Sequence, residues 1–369
     1  MAERQSMRRS TGKVATSKAL RHSAVWACRR LRADLVSTMP VDTYRMVGKT
    51  RFEVPKPPVF IIPGGEEVDW CEWAYSSTGD LDTSGNTAGV ITARGADGKP
   101  SRIELFPFEE ASLKGKGAKI TEWRIGGETY APDQIWHEKQ HTSAGLPVGL
   151  SPIAHAAVSI GGYLSAQEFA SDWFSGGGIP RARLKNVKKV LEPGEADKVN
   201  TRFRAMVGNG GLFVHGADWE YEAISAKASE TQFIEQMQFG ITDICRFMGV
   251  PADMIDADTA TGSITYANVT QRNLQLLILN LNPAIVRRES VWSRRLLAAP
   301  RFVKLNRAAL LAMDLKGRYE GHQIGINSRF LAPSEARAHE DLPPFTPEQE
   351  AEFERLFASR APQPPKEVA

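Results

Sequence analysis

The heptapeptide IWHEKQH (Ile135–His141) contains the spacing H-E-x-x-H, which is typical of zinc-dependent hydrolases. On a helix, His137 and His141 would project from one face to bind zinc, and Glu138 would activate the metal-bound water. The flanking residues predict a different local structure, because a strand should end here and the glycines and prolines of TSAGLPVG follow at once. We therefore expect a strand end and a polar loop, with a zinc metallohydrolase as the alternative.

Other residues that could carry chemistry lie in unsuitable contexts. Arg94–Pro100 resembles a Walker loop only superficially, because Pro100 replaces the hydroxyl residue that such loops require. Gly176–Gly178 follow a predicted helix instead of beginning one, which favours a helix C-cap over a phosphate site. His155 lies among alanines, where we expect a packed or interface histidine and not a base. The sequence therefore predicts no catalytic residue, no cofactor and no metal site, and a protein that is not an enzyme.

Composition and charge are those of an ordinary globular protein. The 369 residues are 42% hydrophobic and 24% charged, enough for a core of two or three domains. The net charge of +3 does not by itself imply a nucleic-acid partner, although nine basic residues lie within Arg4–Arg32. Cys28, Cys71 and Cys245 are far apart in sequence, which argues against a zinc ribbon or a disulfide framework. No signal peptide is visible and Leu274–Val286 is too short to span a bilayer, so we expect a soluble intracellular protein.

The N-terminal part is predicted to begin with helix and to continue as short strands. Ser17–Met39 has the apolar spacing of an amphipathic helix, and Val41–Arg45 follows as a strand. A second, short helix is expected around Val68–Tyr75. From Thr87 to Tyr130 the sequence alternates in short runs with glycine turns, and Asp97-Gly98 is a strong hairpin signal.

Two long helices are predicted in the middle of the chain, on either side of a small mixed unit. Ser151–Phe174 begins with a serine cap followed by proline at the first helical position. A capping-box spacing predicts that the second helix, Ser229–Met248, begins at its serine. Between them, the strand Ile179–Lys185, the helix Pro193–Val207 and two more strands form a βαββ unit of about 50 residues, too small to bury a good core alone.

A long loop and a long, kinked helix are expected next. Ile255–Asn268 is acidic and rich in small residues, and loops of this length within compact proteins are commonly functional or disordered. Val269–Leu297 has helical periodicity, and its internal proline predicts a kink near Asn282. Arg301–Leu311 has the pattern of a strand followed by a helix. A short helix at Thr346–Phe357 precedes a tail that should be disordered.

This order of elements resembles the HK97-like portal proteins of tailed bacteriophages over nearly the whole chain. Five stretches carry the resemblance, in order: Ser23–Arg45, His137–Ala156, Phe174–Leu184, Phe233–Ile255 and Leu331–Pro344. Each is a loose pattern, and their order makes the match specific. Ser334 stands where the family usually has asparagine. In this family a strand-borne histidine precedes a polar loop and a G-x-S-P helix start, which makes the zinc-like spacing a coincidence.

The resemblance implies an α+β portal fold with a β-rich wing, a two-helix stem, a small α/β clip, a tunnel loop and a long kinked helix. The implied boundaries are 1–149 for the wing, 150–175 and 229–252 for the stem helices, 176–228 for the clip, 253–268 for the tunnel loop, 269–345 for the kinked helix with the rest of the wing, and 346–369 for a short helix and disordered tail. With so little chain after Pro344, the crown should be reduced or absent.

The resemblance also implies a function. Portal proteins form a ring, usually of twelve subunits, at one capsid vertex, and DNA is packaged and ejected through the ring. The implied partners are other copies of the chain, double-stranded DNA, the terminase large subunit, a head–tail adaptor, and the major capsid protein or scaffold, with no membrane. The location would be the virion, and the host cytoplasm during assembly.

Two groups of residues would contact partners in such a ring. The tunnel loop would present small and acidic residues that do not hold DNA tightly: Asp256, Asp258, Thr259, Thr261, Gly262 and Ser263. The clip would present basic residues to DNA or to acidic surfaces of terminase and adaptor, or only to solvent: Arg181, Arg183, Lys185, Lys188, Lys189, Lys198, Arg202 and Arg204. A DNA-binding protein without ring assembly is a further hypothesis, but no groove-reading helix is recognisable.

Overall fold

The computed structural model describes most of the chain. The chain divides into two compact units, with the boundary between residues 305 and 306. The described residues are 15–175, 182–186, 194–195, 197–199, 201, 219–223, 227–256, 266–307, 315–340 and 342–358. Helices and strands both contribute, and the expected α+β class is confirmed.

The described helices of the first unit follow the predicted order. They are α1 (Thr16–Ala19), α2 (Ser23–Ser37), α3 (Trp70–Ser84), α4 (Pro152–His155), α5 (Ala157–Ser175), α6 (Lys227–Met248), α7 (Tyr266–Gln275) and α8 (Asn282–Leu296). Short 3-10 helices lie at Pro58–Phe60, Phe108–Glu110 and Ala252–Ile255, and a π-helix, Leu276–Leu281, joins α7 to α8.

The described strands pair only in antiparallel fashion. They are β1 (Val41–Val47), β2 (Thr50–Glu53), β3 (Asn86–Arg94), β4 (Pro100–Phe106), β5 (Ser112–Lys116), β6 (Lys119–Ile125), β7 (Glu128–Tyr130), β8 (Ile135–Lys139), β9 (Ala182–Asn186), β10 (Trp219–Ala223) and β11 (Arg301–Leu305). Their sheets have the orders β11-β1-β2, β4-β3-β8, β5-β6-β7 and β10-β9. The predicted hairpin is confirmed: β3 and β4 turn at Asp97-Gly98, where the glycine has φ 72°.

Two helices near the N-terminus differ from their predictions. The helix expected over Ser17–Met39 is broken at residues 20–22, because the His22 side chain caps α2 by accepting a hydrogen bond from the Ala24 amide at 3.2 Å. The short helix expected at Val68–Tyr75 instead begins at Trp70 and continues to Ser84 as α3. Its second half is built from small hydroxyl residues that are weak helix formers. Their side chains donate to carbonyls of the same helix, as Thr78 does to Ala74 at 2.6 Å.

The two long helices also differ in detail. The Ser151 cap is confirmed, since its hydroxyl accepts from the Ala154 amide, but the helix is interrupted at Ala156 before it continues as α5. The second long helix, α6, begins at Lys227, so Ser229 lies inside the helix and is not its N-cap. Lysine and alanine are good helix formers and extend the helix past that serine.

The third long helix contains a π-helix just before its internal proline. Pro283 has no N–H to donate, and just before it the Asn282 amide bonds to the Leu277 carbonyl, five residues back. The regular α-helix is therefore interrupted close to the position where a kink was predicted, by a π-helix that ends at Leu281. α7 begins at Tyr266, before the predicted Val269, so the last residues of the expected loop are helical.

One apolar core joins the N-terminal helices to the long helices. Its buried members include Val25 and Cys28 of α2, Ile160 of α5, and Ile244 and Cys245 of α6. Polar contacts add to this core. The Ser159 hydroxyl donates to Asp243 at 2.5 Å between α5 and α6, and the rings of His22 and Tyr163 stack 3.8 Å apart.

The second unit contains the remaining described helices, α9 (Leu315–Asn327), α10 (Pro333–His339) and α11 (Pro347–Ala358). Arg318 of α9 bonds to Glu340, beyond the end of α10, at 2.6 Å. At the start of α11, the Thr346 amide donates to the Gln349 side chain at 3.0 Å, and the Gln349 amide donates to the Thr346 hydroxyl at 3.3 Å. None of the helices among the described residues is both long and apolar enough to cross a bilayer.

Candidate functional site

The H-E-x-x-H residues do not form a metal site. His137 and Glu138 lie on β8, where successive side chains point to opposite faces, and His141 lies in the following loop with φ 48°. The expected strand end and loop are confirmed. Within the part of the chain that the structure describes, no group of three histidine, cysteine, aspartate or glutamate side chains could hold a metal ion. The geometry therefore does not support the zinc metallohydrolase alternative.

Glu138 is instead the acceptor of a buried polar cluster. Its two oxygens accept from Arg288 Nε and Trp292 Nε1, each at 3.0 Å. Burial raises the pKa of the Glu138 carboxyl, and the Arg288 guanidinium opposes that shift. The same guanidinium donates to the Ser77 hydroxyl at 2.7 Å and to the Thr78 hydroxyl at 2.5 Å. One arginine thus ties α8 to both β8 and α3.

His137 is part of a second network, centred on Asn86. The Asn86 amide nitrogen donates to the Gly149 carbonyl at 3.0 Å, and its oxygen accepts from the Gly149 amide at 2.7 Å. That oxygen also lies 3.1 Å from His137 Nε2, which must therefore carry the proton. Burial, with the charges of Arg295 and Lys139, lowers the pKa of His137 to about 3, so the ring is neutral. We call Asn86, His137, Glu138, Gly149 and Arg288 the joint.

The joint determines where the first long helix begins. A Cβ on Gly149 would lie 2.2 Å from the backbone oxygens of both Gln140 and Gly85, so only glycine fits this contact. Two residues later the Ser151 hydroxyl donates to the Thr83 carbonyl at 2.7 Å and caps α4. The motif that resembled a catalytic site thus positions a helix. Asn86 was not predicted from the sequence, since nothing near it in the chain indicates its partner.

The base of the predicted tunnel loop is well defined. Asp253 lies in a 3-10 helix, and Arg272 of α7 bonds to it at 3.0 Å across the two ends of the loop. Asp256 follows with φ 55°, in the left-handed region that asparagine and aspartate tolerate. The other predicted loop residues, Asp258, Thr259, Thr261, Gly262 and Ser263, lie outside the described residues.

A partly buried chain of polar contacts connects this base to α2. The Asn280 side chain donates to the Gly249 carbonyl at the end of α6, at 2.9 Å. The Asn280 carbonyl lies in the π-helix and accepts from Arg32 at 3.3 Å. Arg32 in turn pairs with Asp82 of α3 at 2.9 Å. Asn280 therefore links the two ends of the loop, and Arg32 connects it to α2 and, through Asp82, to α3.

The structure describes only part of the predicted basic clip. Lys185 on β9 and Lys198 in a helical segment are exposed, and Arg183 also lies on β9. Arg181, Lys188, Lys189, Arg202 and Arg204 lie outside the described residues. The β9–β10 register places Lys185 opposite Glu220, and Arg183 opposite Glu222. Opposite charges at facing positions offset each other, so the described strand pair is less basic than the sequence suggested.

The long helices α5 and α6 carry large apolar side chains that the single chain leaves uncovered. Val158 is 77% exposed, Phe239 63% and Phe247 40%. We call these three residues the stem face. α5 also has open space at Gly161 and Gly162, where an added Cβ would meet nothing within 4 Å. His155 is exposed, so it is not packed within its own chain as one alternative had it. Large apolar side chains left exposed on the two long helices are candidates for a surface that another protein covers.

The sequence of this chain is similar to those of phage portal proteins. A family described as "Phage portal protein" matches residues 23–341. The "Probable portal protein" of Streptomyces phage phiC31 is 27% identical over 361 residues, which cover 90% of this chain and 77% of that protein. The "Portal protein" of Enterobacteria phage HK97 is 24% identical over 343 residues, covering 88% of this chain and 80% of that protein.

Solved structures show the same fold at lower identity. An HK97 family phage portal protein from Corynebacterium diphtheriae superimposes with a TM-score of 0.59 at 20% identity, covering 82% of this chain and 99% of that chain. A chain in the neck of a native gene transfer agent particle, computed with C12 symmetry, gives a TM-score of 0.58 at 18% identity, covering 91% of this chain and 96% of that chain.

Proposed function

Because this chain belongs to the phage portal protein family, we propose that it is the head–tail connector of a tailed phage or phage-like particle. The family match carries this proposal, since it spans residues 23–341 and so includes the joint, both long helices and the loop base. The chain would form a ring at one capsid vertex, through which DNA is packaged and later ejected. It would have no catalytic residue, and the H-E-x-x-H spacing would serve only to place helices.

The stem face supports a ring of identical subunits. A head-to-tail contact between neighbours closes into a ring and covers two different surfaces of each subunit. α5 and α6 would form the stem, and the exposed Val158, Phe239 and Phe247 would be covered by the next subunit. We propose twelve subunits, in keeping with the C12 symmetry computed for the related neck.

The loop between α6 and α7 would line the channel and contact double-stranded DNA. Its small and acidic residues do not neutralise phosphate, which suits DNA that must slide. The Asp253–Arg272 pair and the Asn280 contacts hold the two ends of this loop. We therefore propose that the loop is presented to the channel from a fixed base.

The clip would bind either DNA at the channel exit or acidic surfaces of the terminase large subunit and of a head–tail adaptor. The register of β9 with β10 supports unequal contributions of the basic residues to partner binding. Lys185 faces Glu220 and so has a neutralising neighbour, whereas exposed Lys198 lies in a separate helical segment. We propose that Lys198 contributes more to partner binding than Lys185. Capsid protein or scaffold would contact the wing.

A loop deletion tests the proposed channel. In the parent particle, portals that lack residues 258–262 should still form rings, but the particles should retain or package less DNA. A control with the same five residues replaced by glycine and serine keeps the loop length and should package normally. Normal DNA content after the deletion would contradict a channel role for the loop. Failure of the deleted chain to form rings would show that the loop is structural instead.

Charge reversal tests the clip. The variant Lys198→Glu should reduce DNA packaging or tail joining, and the matched Lys185→Glu should reduce them less. If both variants package DNA and join tails as the parent does, these lysines only face solvent.

A further inference from the structure

The sheet β11-β1-β2 has one face that is buried at one end and exposed at the other. Along β1, the side chains of Val41 and Thr43 are buried in the core. Side chains two residues apart share a face of a strand, so Arg45 and Val47 continue the same face outward. Both of these residues are exposed. The face therefore extends beyond the part that the single chain covers.

One row across the exposed end contains two arginines and a phenylalanine. The register places Arg45 of β1 directly opposite Arg301 of β11 on one side and directly opposite Phe52 of β2 on the other. All three side chains are exposed, and Phe52 and Val47 are each 53% exposed. We call Arg45, Val47, Phe52 and Arg301 the outer sheet face.

The two arginines form a like-charged pair. Among the residues that the structure describes, no carboxylate pairs with Arg45 or with Arg301. The hairpin itself supplies none, because the stretch Arg45–Phe52 contains three basic residues and no aspartate or glutamate. Like charges at directly opposite positions of neighbouring strands destabilise a sheet. A carboxylate from outside the chain would offset this repulsion.

We propose that the outer sheet face binds an acidic segment of another protein, one that carries both carboxylates and a large apolar side chain. Arginine can bind a carboxylate through two parallel hydrogen bonds, so Arg45 and Arg301 together would hold the acidic groups. Phe52 and Val47 would cover the apolar side chain of the partner. Arginine and aromatic residues are also the types that contribute most to binding at protein interfaces.

The apolar half of this surface favours a protein over a nucleic acid. Two arginines alone would also attract the phosphates of DNA. Phe52 and Val47 lie beside them on the same face, and phosphate groups offer no apolar surface to cover these side chains. In the proposed function this sheet belongs to the wing. That the partner is a component of the particle rests on the proposed function, whereas the binding itself does not.

The test measures binding of a labelled peptide to the full chain by fluorescence anisotropy. The probe is a short fluorescein-labelled peptide in which glutamate alternates with leucine. The variant Arg45→Glu reverses one charge of the like-charged pair and should weaken peptide binding by about tenfold or more. Because the change also removes the repulsion from Arg301, the variant should fold at least as well as the parent chain, which urea denaturation checks.

Matched variants separate the outer sheet face from general effects of charge and apolarity. Lys49→Glu makes the same charge change in the turn of the hairpin, outside the outer sheet face, and should weaken binding by no more than about threefold. Phe52→Ser should weaken binding, whereas Met46→Ser, on the opposite face of the same hairpin, should leave it unchanged. A peptide with serine in place of leucine should bind the parent chain more weakly.

Several results would overturn the proposal. These are no binding of the peptide to the parent chain, equal binding of the serine peptide, or equal losses of affinity in Arg45→Glu and Lys49→Glu. Tighter binding of a short DNA duplex, lost in Arg45→Glu, would assign the face to nucleic acid instead. Loss of self-association in Arg45→Glu would assign it to a second copy of this chain. Rings that form while the peptide fails to bind would overturn this proposal and leave the proposed function standing.

Discussion

The joint and the stem face are built from opposite kinds of residue. In the joint, a buried glutamate, arginine, asparagine and histidine meet within one chain, and each has a hydrogen-bond partner there. On the stem face, three large apolar side chains of the long helices are between 40% and 77% exposed. The first region is complete in a single chain. The second is the kind of surface that another subunit completes.

The difference indicates what each region does. A buried ion pair such as Glu138–Arg288 adds little net stability over a well-packed apolar pair, because both charges lose their water. Its geometry is demanding, so it suits a place where helices must be held in one arrangement. An exposed apolar face costs nothing in the folded monomer and contributes free energy only when covered. The joint would thus orient the stem, and the stem face would assemble it.

The largest effect should come from breaking the buried pair in the joint. The variant Glu138→Ala leaves the Arg288 charge buried without its carboxylate and should lower the free energy of unfolding by about 3–5 kcal/mol. Urea denaturation followed by circular dichroism measures this. The control Glu122→Ala removes a carboxylate on exposed β6 that pairs with Lys114, and should change stability little. Equal losses of unfolding free energy in the two variants would mean that the buried pair of the joint contributes no more to stability than an exposed pair does.

Acid should next reduce the stability that depends on a neutral His137 ring. The pKa of His137 is about 3 in the folded chain and near 6.5 when unfolded, so below pH 6.5 the unfolded state binds the extra proton. Above pH 6.5 the histidine is neutral in both states and does not reduce the stability. As the pH falls from 6.5 toward 3, only the unfolded state takes up the proton, and the free energy of unfolding decreases. The loss is about 1.4 kcal/mol for each pH unit. Burial lowers the pKa of His22 to about 4, which adds a loss in the same direction.

Urea midpoints at several pH values test the contribution of His137. The variant His137→Gln should remove its part of the slope between pH 4 and 6, so its stability should fall less steeply than that of the parent chain. An unchanged slope in His137→Gln would contradict a neutral, buried role for this histidine.

A change on the stem face should alter assembly and spare the fold. Because Phe239 is exposed in the single chain, Phe239→Glu should change the free energy of unfolding by no more than about 0.5 kcal/mol. It should abolish rings, since a carboxylate would be buried against an apolar neighbour. Sedimentation velocity measures the size, with Gln238→Glu on the same helix as control. Rings that persist in Phe239→Glu would remove this residue from the interface.

The smallest effect is expected at the loop base. Asp253 and Arg272 form a partly exposed pair, and a double-mutant cycle should give a coupling of about 0.2–1 kcal/mol. Thermal unfolding of both alanine variants and of the double variant supplies the cycle. A coupling above about 2 kcal/mol would place this pair with the joint in strength, because only buried pairs reach such values.

Local features were predictable from the sequence where neighbouring residues determine them. Ser151 and Pro152 predicted a helix start, Asp97-Gly98 a hairpin turn, and the glycines after His141 excluded a zinc helix. The order of such features was enough to identify the family. Where local rules competed, the prediction was wrong. The helix that was predicted to begin at Ser229 begins at Lys227 instead, because good helix formers precede the serine.

Contacts between distant residues could not be predicted in this way. The partner of Glu138 is Arg288, 150 positions later, and no spacing rule connects them. Asn86 and Gly149 are joined only because β3 and β8 pair in one register. The domain boundaries, the loop residues and the clip surface remain predictions.

Negative-stain electron microscopy of the purified full-length chain tests the central claim most directly. The apolar stem face of an otherwise complete fold predicts annular particles with a central hole, of about the twelvefold symmetry computed for the related neck. In parallel, the Phe239→Glu protein should give only small, folded particles. If the parent chain stays a folded monomer at concentrations where portal rings form, the proposal that neighbours complete this surface is contradicted.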